Sequence, residues 1–148
     1  MNRILLTATL CCALAVPVNA AEPELNAVLS VMGHGHAVRV WVNGVDVGIS
    51  GGQSQSMRLF NKGHPWSAKA SPQKRARNFV LVQGENEFVV EFAQNPKSTG
   101  RLNVRVDVKG YPGPLLDISN TGRGSDRHVV RVQIEPKPPE GFKPIVIQ

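Results

Sequence analysis

The chain has 148 residues and carries 17 lysines and arginines against 11 aspartates and glutamates, a formal net charge of +6. This length is sufficient for a single domain with its own buried core. The only two cysteines, Cys11 and Cys12, lie near the N-terminus, so the rest of the chain cannot form a disulfide or a cysteine-ligated metal site.

The first 20 residues have the organisation of a secretory signal peptide. Arg3 lies in a short charged region, an apolar run covers residues 4–16, and small residues end at Ala20. The apolar run is shorter than the roughly 20 residues that a permanent membrane helix needs. We therefore predict cleavage after Ala20, a periplasmic or secreted mature protein without cysteine, and no transmembrane segment.

Alternating apolar and polar residues predict about eight short strands in the remaining chain, and helical periodicity is scarce. The clearest examples are NEFVVEFA, RLNVRVDV and RHVVRVQI, each of which places its apolar residues on one side. Shorter candidates are LNAVLSVM from Leu25, MRLF from Met57, FVLV from Phe79 and LLDI from Leu115. Short strands separated by turns predict an all-β antiparallel sandwich, jelly-roll or immunoglobulin-like, over residues 21–134.

The stretch VRVWVNGVDVGISGG, residues 38–52, predicts a β-hairpin. Asn43 and Gly44 tolerate positive φ, which a two-residue type I′ turn requires. That turn pairs Val42 with Val45 and Trp41 with Asp46. It also places all six valine and isoleucine side chains of the hairpin on one buried face.

The residues after Ile134 predict an extended, proline-rich tail over residues 135–148. Pro136, Pro138, Pro139 and Pro144 disfavour both helix and central strand. The closing IVIQ is expected either to add to an edge of the sandwich or to dock on a partner.

All of the net positive charge lies in the middle third of the chain. No acidic residue occurs between Asp46 and Glu85, whereas this window holds six cations. Its longest part without strand character, from Asn61 to Asn78, includes a candidate helical turn with Ser71 as cap and Pro72 at the first helical position. The candidate binding residues are Arg58, Lys62, Trp66, Lys69, Lys74, Arg75, Arg77 and, on the hairpin, Trp41.

Two alternatives remain open for this region. The cations can form a loop that serves only solubility, and Trp66 can close the open end of the sandwich instead of contacting a partner.

Catalytic motifs are absent from the sequence. It contains no G-x-S-x-G elbow, and its carboxylates mostly alternate outward on strands, so we do not expect an enzyme. Met32, His34 and His36 are weak candidates for a copper site, because alternate residues of one strand share a face and imidazole with thioether suits copper. A surface strand end is the alternative, and we expect no cofactor.

The hairpin, together with the later LVQGENEFVVEF, resembles the jelly-roll accessory domain of large β-galactosidase and β-glucuronidase glycosidases. In that family a V-W-x-N-G-x-x-V-G strand precedes a glycine pair, and a G-E-N turn opens a later strand. The matching residues are Val40, Trp41, Asn43, Gly44, Val47, Gly48, Gly51, Gly52, Gly84, Glu85 and Asn86. The chain departs from the pattern at Gln53 and Ser54, where an aromatic residue and a proline are usual. The resemblance implies a sandwich and sugar binding, and it implies no catalysis, which in that family belongs to a separate barrel.

These observations together predict an exported, non-catalytic binding protein that engages an acidic protein or an anionic glycan or lipid head group through its basic residues. Nucleic acid is not an expected partner of an exported protein. The first alternative is a carbohydrate or envelope-glycan binder that stacks sugars on Trp41 or Trp66. The second is a periplasmic copper or other metal carrier.

Overall fold

The computed structural model describes residues 22–33, 35–49, 54–94, 100–120 and 125–148. The predicted signal peptide, His34 and the glycine pair Gly51 and Gly52 lie outside these ranges. The described residues form two sheets that contain nine strands, which confirms the predicted all-β sandwich. No helix among them is long and apolar enough to cross a membrane.

The first sheet has five strands in the order β4-β1-β6-β7-β9. Its neighbouring strands are antiparallel except for β7 and β9, which are parallel. The strands are β1 (Asn26–Met32), β4 (Gln55–Phe60), β6 (Leu102–Val108), β7 (Leu116–Asn120) and β9 (Ile145–Ile147).

The second sheet has four antiparallel strands in the order β3-β2-β5-β8. The strands are β2 (His36–Val42), β3 (Val45–Asp46), β5 (Gly84–Gln94) and β8 (Ser125–Ile134). The strands β4 and β3 are therefore edge strands of their respective sheets.

The core lies between the two sheets, where the apolar sides of the alternating strands are buried. The predicted inward-facing residues of β5, β6 and β8 are all buried, so the alternation identified their faces correctly. These residues are Phe88, Val90, Phe92, Leu102, Val104, Val106, Val108, Val130, Val132 and Ile134.

The predicted hairpin is also confirmed. Asn43 and Gly44 have φ angles of 49° and 79°, and Val42 lies opposite Val45. The ladder is short, since β3 contains only Val45 and Asp46. Gly48, two residues later, has a φ of 76°. The apolar side chains of the hairpin still face the core.

The predicted strand FVLV from Phe79 is wrong. Leu81 forms a single isolated bridge with Asn61, and no ladder follows. The neighbouring backbone groups instead bond to side chains: the carbonyl of Val80 accepts from Asn43, and Val82 bonds to Asn86 through both its N–H and its carbonyl. Side-chain amides therefore replace the neighbouring strand that this segment would need.

The C-terminal residues return to the sandwich. Ile145–Ile147 pairs in parallel with β7, which is the edge-addition alternative for the closing IVIQ. The hydroxyl of Tyr111 accepts a hydrogen bond from the N–H of Glu135 at 3.0 Å. The Tyr111 ring also packs edge-on against Phe142, with 5.0 Å between ring centroids.

Candidate functional site

The cations of the middle third lie on a segment that bridges the two sheets. We call residues 58–77 the basic segment. It contains the end of β4, a 3₁₀ helix (Pro65–Lys69) and most of the helix α1 (Pro72–Asn78). Because α1 contacts both edge strands, β3 and β4, the basic segment covers the side of the sandwich where these two edges lie.

Local capping fixes the two short helices. The His64 side chain accepts a hydrogen bond from the N–H of Trp66 at 3.2 Å, and Pro65 begins the 3₁₀ helix. Ser71 accepts from the N–H of Lys74 at 3.3 Å, and Pro72 begins α1. The predicted helical turn and its cap are confirmed, and four of the cations, Lys69, Lys74, Arg75 and Arg77, are therefore held on these helices.

The basic segment rests on a cluster of four aromatic rings. The Phe60 ring lies 5.0 Å from the Phe79 ring, 5.2 Å from that of Trp66 and 4.7 Å from that of His64, measured between centroids. Phe60, His64 and Phe79 are buried, whereas Trp66 is 49% exposed. Trp66 thus packs against Phe60 and is also partly exposed to solvent, so contact of this residue with a partner stays a prediction.

Arg58 is held against this exposed tryptophan. Its guanidinium carbon lies 5.8 Å from the centroid of the Trp66 ring, within the distance range of a cation–π contact. The two side chains line a cleft of about 560 Å³ on the outer side of the first sheet, which Asp107 and Lys109 also line. An arginine stacked in this way is partly ordered before it meets a carboxylate or a phosphate.

The positive charge of the basic segment is only partly offset by the described part of the chain. All six of its cations are exposed, and none forms a salt bridge with a described carboxylate. They are Arg58, Lys62, Lys69, Lys74, Arg75 and Arg77.

The outer face of the second sheet has the opposite arrangement, since its arginines are paired. Salt bridges join Arg39 to Asp46 at 2.9 Å, Arg127 to Glu91 at 3.1 Å and Arg131 to Glu87 at 3.2 Å. The excess positive charge therefore lies on the basic segment and not on this face.

Trp41, the remaining candidate, lies on this paired face and not in the basic segment. It is opposite Asp46 and Val89 in the ladder, and the guanidinium carbon of Arg39 lies 4.9 Å from its ring centroid. Trp41 therefore lies on a different strand and a different face of the molecule from the other seven candidates, which all belong to the basic segment.

Asp46 is the acidic residue closest in sequence to the basic segment on its N-terminal side. Its carboxylate accepts a hydrogen bond from the N–H of Gly48 at 2.8 Å, and this bond, followed by the bond from Arg39, lowers its pKa. The charge of Arg77 lowers the pKa further. Asp46 therefore stays ionised at the pH of most cell compartments and offsets only part of the charge of α1.

A second cleft lies between α1 and the β2-β3 hairpin. We call it the helix–hairpin groove; its volume is about 530 Å³. It is lined by Asn43, Val45, Lys62, Ser67, Arg75, Ala76, Phe79, Val80 and Val82. The sequence did not indicate this groove, because it arises from segments that are distant in sequence and because Val82 was assigned to a strand.

Two of the three candidate metal ligands, Met32 and His36, lie on different strands. Met32 ends β1 and is 47% exposed, whereas His36 begins β2 and is fully buried, with a turn between the strands. Nδ1 of His36 lies 2.8 Å from the carbonyl oxygen of Gly33. His34 lies outside the described residues, and within them no group of three or more histidine, cysteine or acidic side chains is placed to hold a metal ion.

Comparison of the chain with protein-family models, with curated proteins and with solved structures gave no match.

Proposed function

We propose that the protein is an exported, non-catalytic binding protein that captures an acidic protein partner through the basic segment. The observation that carries the proposal is the contrast between the two charged surfaces. The arginines of the second sheet have carboxylate partners, whereas the six exposed cations of the basic segment have none among the described residues.

The scaffold beneath these cations supports a binding role over a purely solubilising one. A loop that serves only solubility needs no fixed conformation, yet here both helices are capped and Phe60 and Phe79 anchor the segment. The side-chain amide of Asn78 also donates to the carbonyl of Arg58 at 2.8 Å, which joins the end of α1 to β4. Ordered cations lose less conformational entropy when they meet a partner.

The charge pattern favours an acidic partner over a neutral sugar. A sugar that stacks on tryptophan needs an open ring face, and an arginine already lies over one face of each ring, Arg39 over Trp41 and Arg58 over Trp66. The guanidinium group of Arg58, which has no salt bridge with a described carboxylate, suits a carboxylate because its planar donors match carboxylate geometry. A partner rich in aspartate and glutamate therefore fits both the charge and the donor geometry.

The proposed export rests on the N-terminal sequence, in which Arg3 precedes the apolar run and small residues end at Ala20. An exported protein with an unneutralised cationic surface associates faster with anionic partners, and salt weakens this attraction.

Chemical crosslinking followed by pulldown from the exporting cell tests the proposal without assuming the partner. The expected result is an exported acidic protein that is captured by the wild type and lost when Lys74, Arg75 and Arg77 are all changed to glutamate. The same capture by the triple variant would refute the role of the basic segment, and capture of polysaccharide alone would support the glycan alternative instead.

A further inference from the structure

The helix–hairpin groove combines an apolar floor with a cationic rim. Val45, Phe79 and Val80 contribute to the floor, and Val82 is 44% exposed at its side. Lys62 and Arg75 also line the groove, and no acidic residue does. We propose that this groove holds one aliphatic side chain of the partner, within an acidic peptide segment whose carboxylates contact the rim.

The floor favours an aliphatic side chain as occupant. Binding clefts are commonly lined by apolar side chains together with a few polar groups, and the lining of this groove combines both. Ala76 presents only a methyl group from α1, so it leaves space between the helix and the hairpin. Burial of an aliphatic side chain in this space would remove the exposed surface of Val82 from water.

The cationic rim favours acidic residues next to that aliphatic side chain in the peptide. Lys62 precedes the 3₁₀ helix in the sequence and Arg75 follows it, and both residues line the groove. Neither has a salt bridge with a described carboxylate. Carboxylates on both flanks of one aliphatic residue would match a groove that is lined by apolar residues and by two cations.

The backbone of the floor argues against binding by strand addition. The carbonyl of Val80 already accepts from Asn43, the N–H of Leu81 bonds to the carbonyl of Phe60, and both backbone groups of Val82 bond to Asn86. A peptide therefore finds few free main-chain groups here. Recognition must come from side chains, which the apolar floor and the cationic rim supply.

The inference rests on the proposed function, and its test separates the two. The isotopically labelled protein is titrated with a short peptide that has glutamates on both sides of one leucine, and with a second peptide in which serine replaces the leucine. Amide chemical shifts report the site and the dissociation constant. The variant Ala76→Trp fills the groove without a change of charge, and Ala68→Trp, an exposed position on the 3₁₀ helix outside the groove lining, is the matched control.

The expected result is saturable shifts at Ala76, Val80 and Val82, with binding about tenfold weaker for the serine peptide because leucine burial is lost. Ala76→Trp should abolish the shifts in the groove, and Ala68→Trp should preserve them.

If the two peptides have equal dissociation constants and only the amides of the cations shift, the proposal for the groove is wrong. The basic segment would then remain as the binding site. No shift with either peptide would contradict both proposals. If vesicles of phosphatidylglycerol shift the groove amides and the leucine peptide does not, the occupant is a lipid and the inference fails.

Discussion

Asn43 and Asn86 are joined by a hydrogen bond of 2.8 Å from the side-chain nitrogen of Asn43 to the side-chain oxygen of Asn86. The same oxygen of Asn86 accepts from the N–H of Val82 at 2.9 Å. The side-chain oxygen of Asn43 accepts from the N–H of Glu87 at 2.9 Å. This network connects the hairpin turn, the start of β5 and one wall of the helix–hairpin groove.

The first prediction concerns Asn86, which is fully buried. Asn86→Ala should lower the free energy of unfolding by about 2–4 kcal/mol, because it leaves the N–H and carbonyl of Val82 without their partner. Denaturant unfolding measures the change. A loss below about 0.5 kcal/mol would mean that the network does not hold the groove wall.

Two variants of Asn43 separate its hydrogen bonds from its backbone conformation. Asn43→Gly removes the side-chain bonds but tolerates the φ of 49°, whereas Asn43→Ala also adds backbone strain. We expect both variants to be destabilised, and the alanine variant more so. Equal stability of the alanine variant and the wild type would contradict this account.

The sandwich was predictable from the sequence because the alternation of apolar and polar residues within a strand indicates which of its faces is buried. The alternation in RLNVRVDV identifies Leu102 and Val104 as inward-facing without knowledge of any neighbour. The hairpin was predictable for a related reason, since the turn residues Asn43 and Gly44 and the flanking valines require the same register.

The groove and the failed strand at Phe79 were not predictable, because they depend on contacts between distant residues. Asn86 follows a glycine and a glutamate and was assigned to a turn, yet its side chain takes the backbone bonds that a strand at Val82 would have used. The burial of His36 is similar: its alternation with Met32 suggested a shared face, but the turn at Gly35 places the two on different strands.

The third prediction concerns the contact between the hairpin and α1. Gly48 has a φ of 76°, and a Cβ atom at this position would lie 2.6 Å from a guanidinium nitrogen of Arg77. Gly48→Ala should therefore cost about 1–2 kcal/mol of stability and displace the Arg77 side chain. The Arg77 side-chain resonances report the displacement, and denaturant unfolding reports the stability.

Gly44→Ala is the control, since Gly44 has a similar φ of 79° but nothing within 4 Å of its added Cβ. It should share the backbone strain and leave the Arg77 resonances unchanged. If both variants move Arg77, or if neither does, the hairpin does not position this cation.

The fourth prediction is the pH dependence that Asp46 contributes. Its pKa is lowered in the folded protein, first by the hydrogen bond from Gly48 and then by Arg39. A lowered folded pKa stabilises the fold above the unfolded pKa, and this contribution is lost as the pH falls through the folded value. Because the side chain is 39% exposed, the contribution should not exceed about 1 kcal/mol.

Asp46→Asn keeps an acceptor for the N–H of Gly48 and removes the charge. The variant should be less stable than the wild type near neutral pH, and the difference should shrink as the pH falls below the ordinary aspartate value of 3.8. Unfolding curves over this range measure it. A difference that stays constant with pH would show that the charge of Asp46 does not stabilise the fold.

The central claim is that the unpaired cations of the basic segment, and not the overall charge, bind the partner. The direct measurement is the dissociation constant of the captured partner for two triple variants that change the net charge equally. One replaces Lys74, Arg75 and Arg77 by glutamate. The other replaces Arg101, Lys137 and Lys143 by glutamate. These three cations are exposed and lie outside the basic segment. The first should still fold, because glutamate at position 74 can complete a capping box with Ser71.

Isothermal titration calorimetry should show binding lost, or at least about 100-fold weaker, for the first variant and changed by less than about tenfold for the second, since only the first removes direct contacts. The melting temperatures of both should stay within a few degrees of the wild type. Equal weakening by the two variants would contradict the claim, because the partner would then respond to net charge and not to the basic segment.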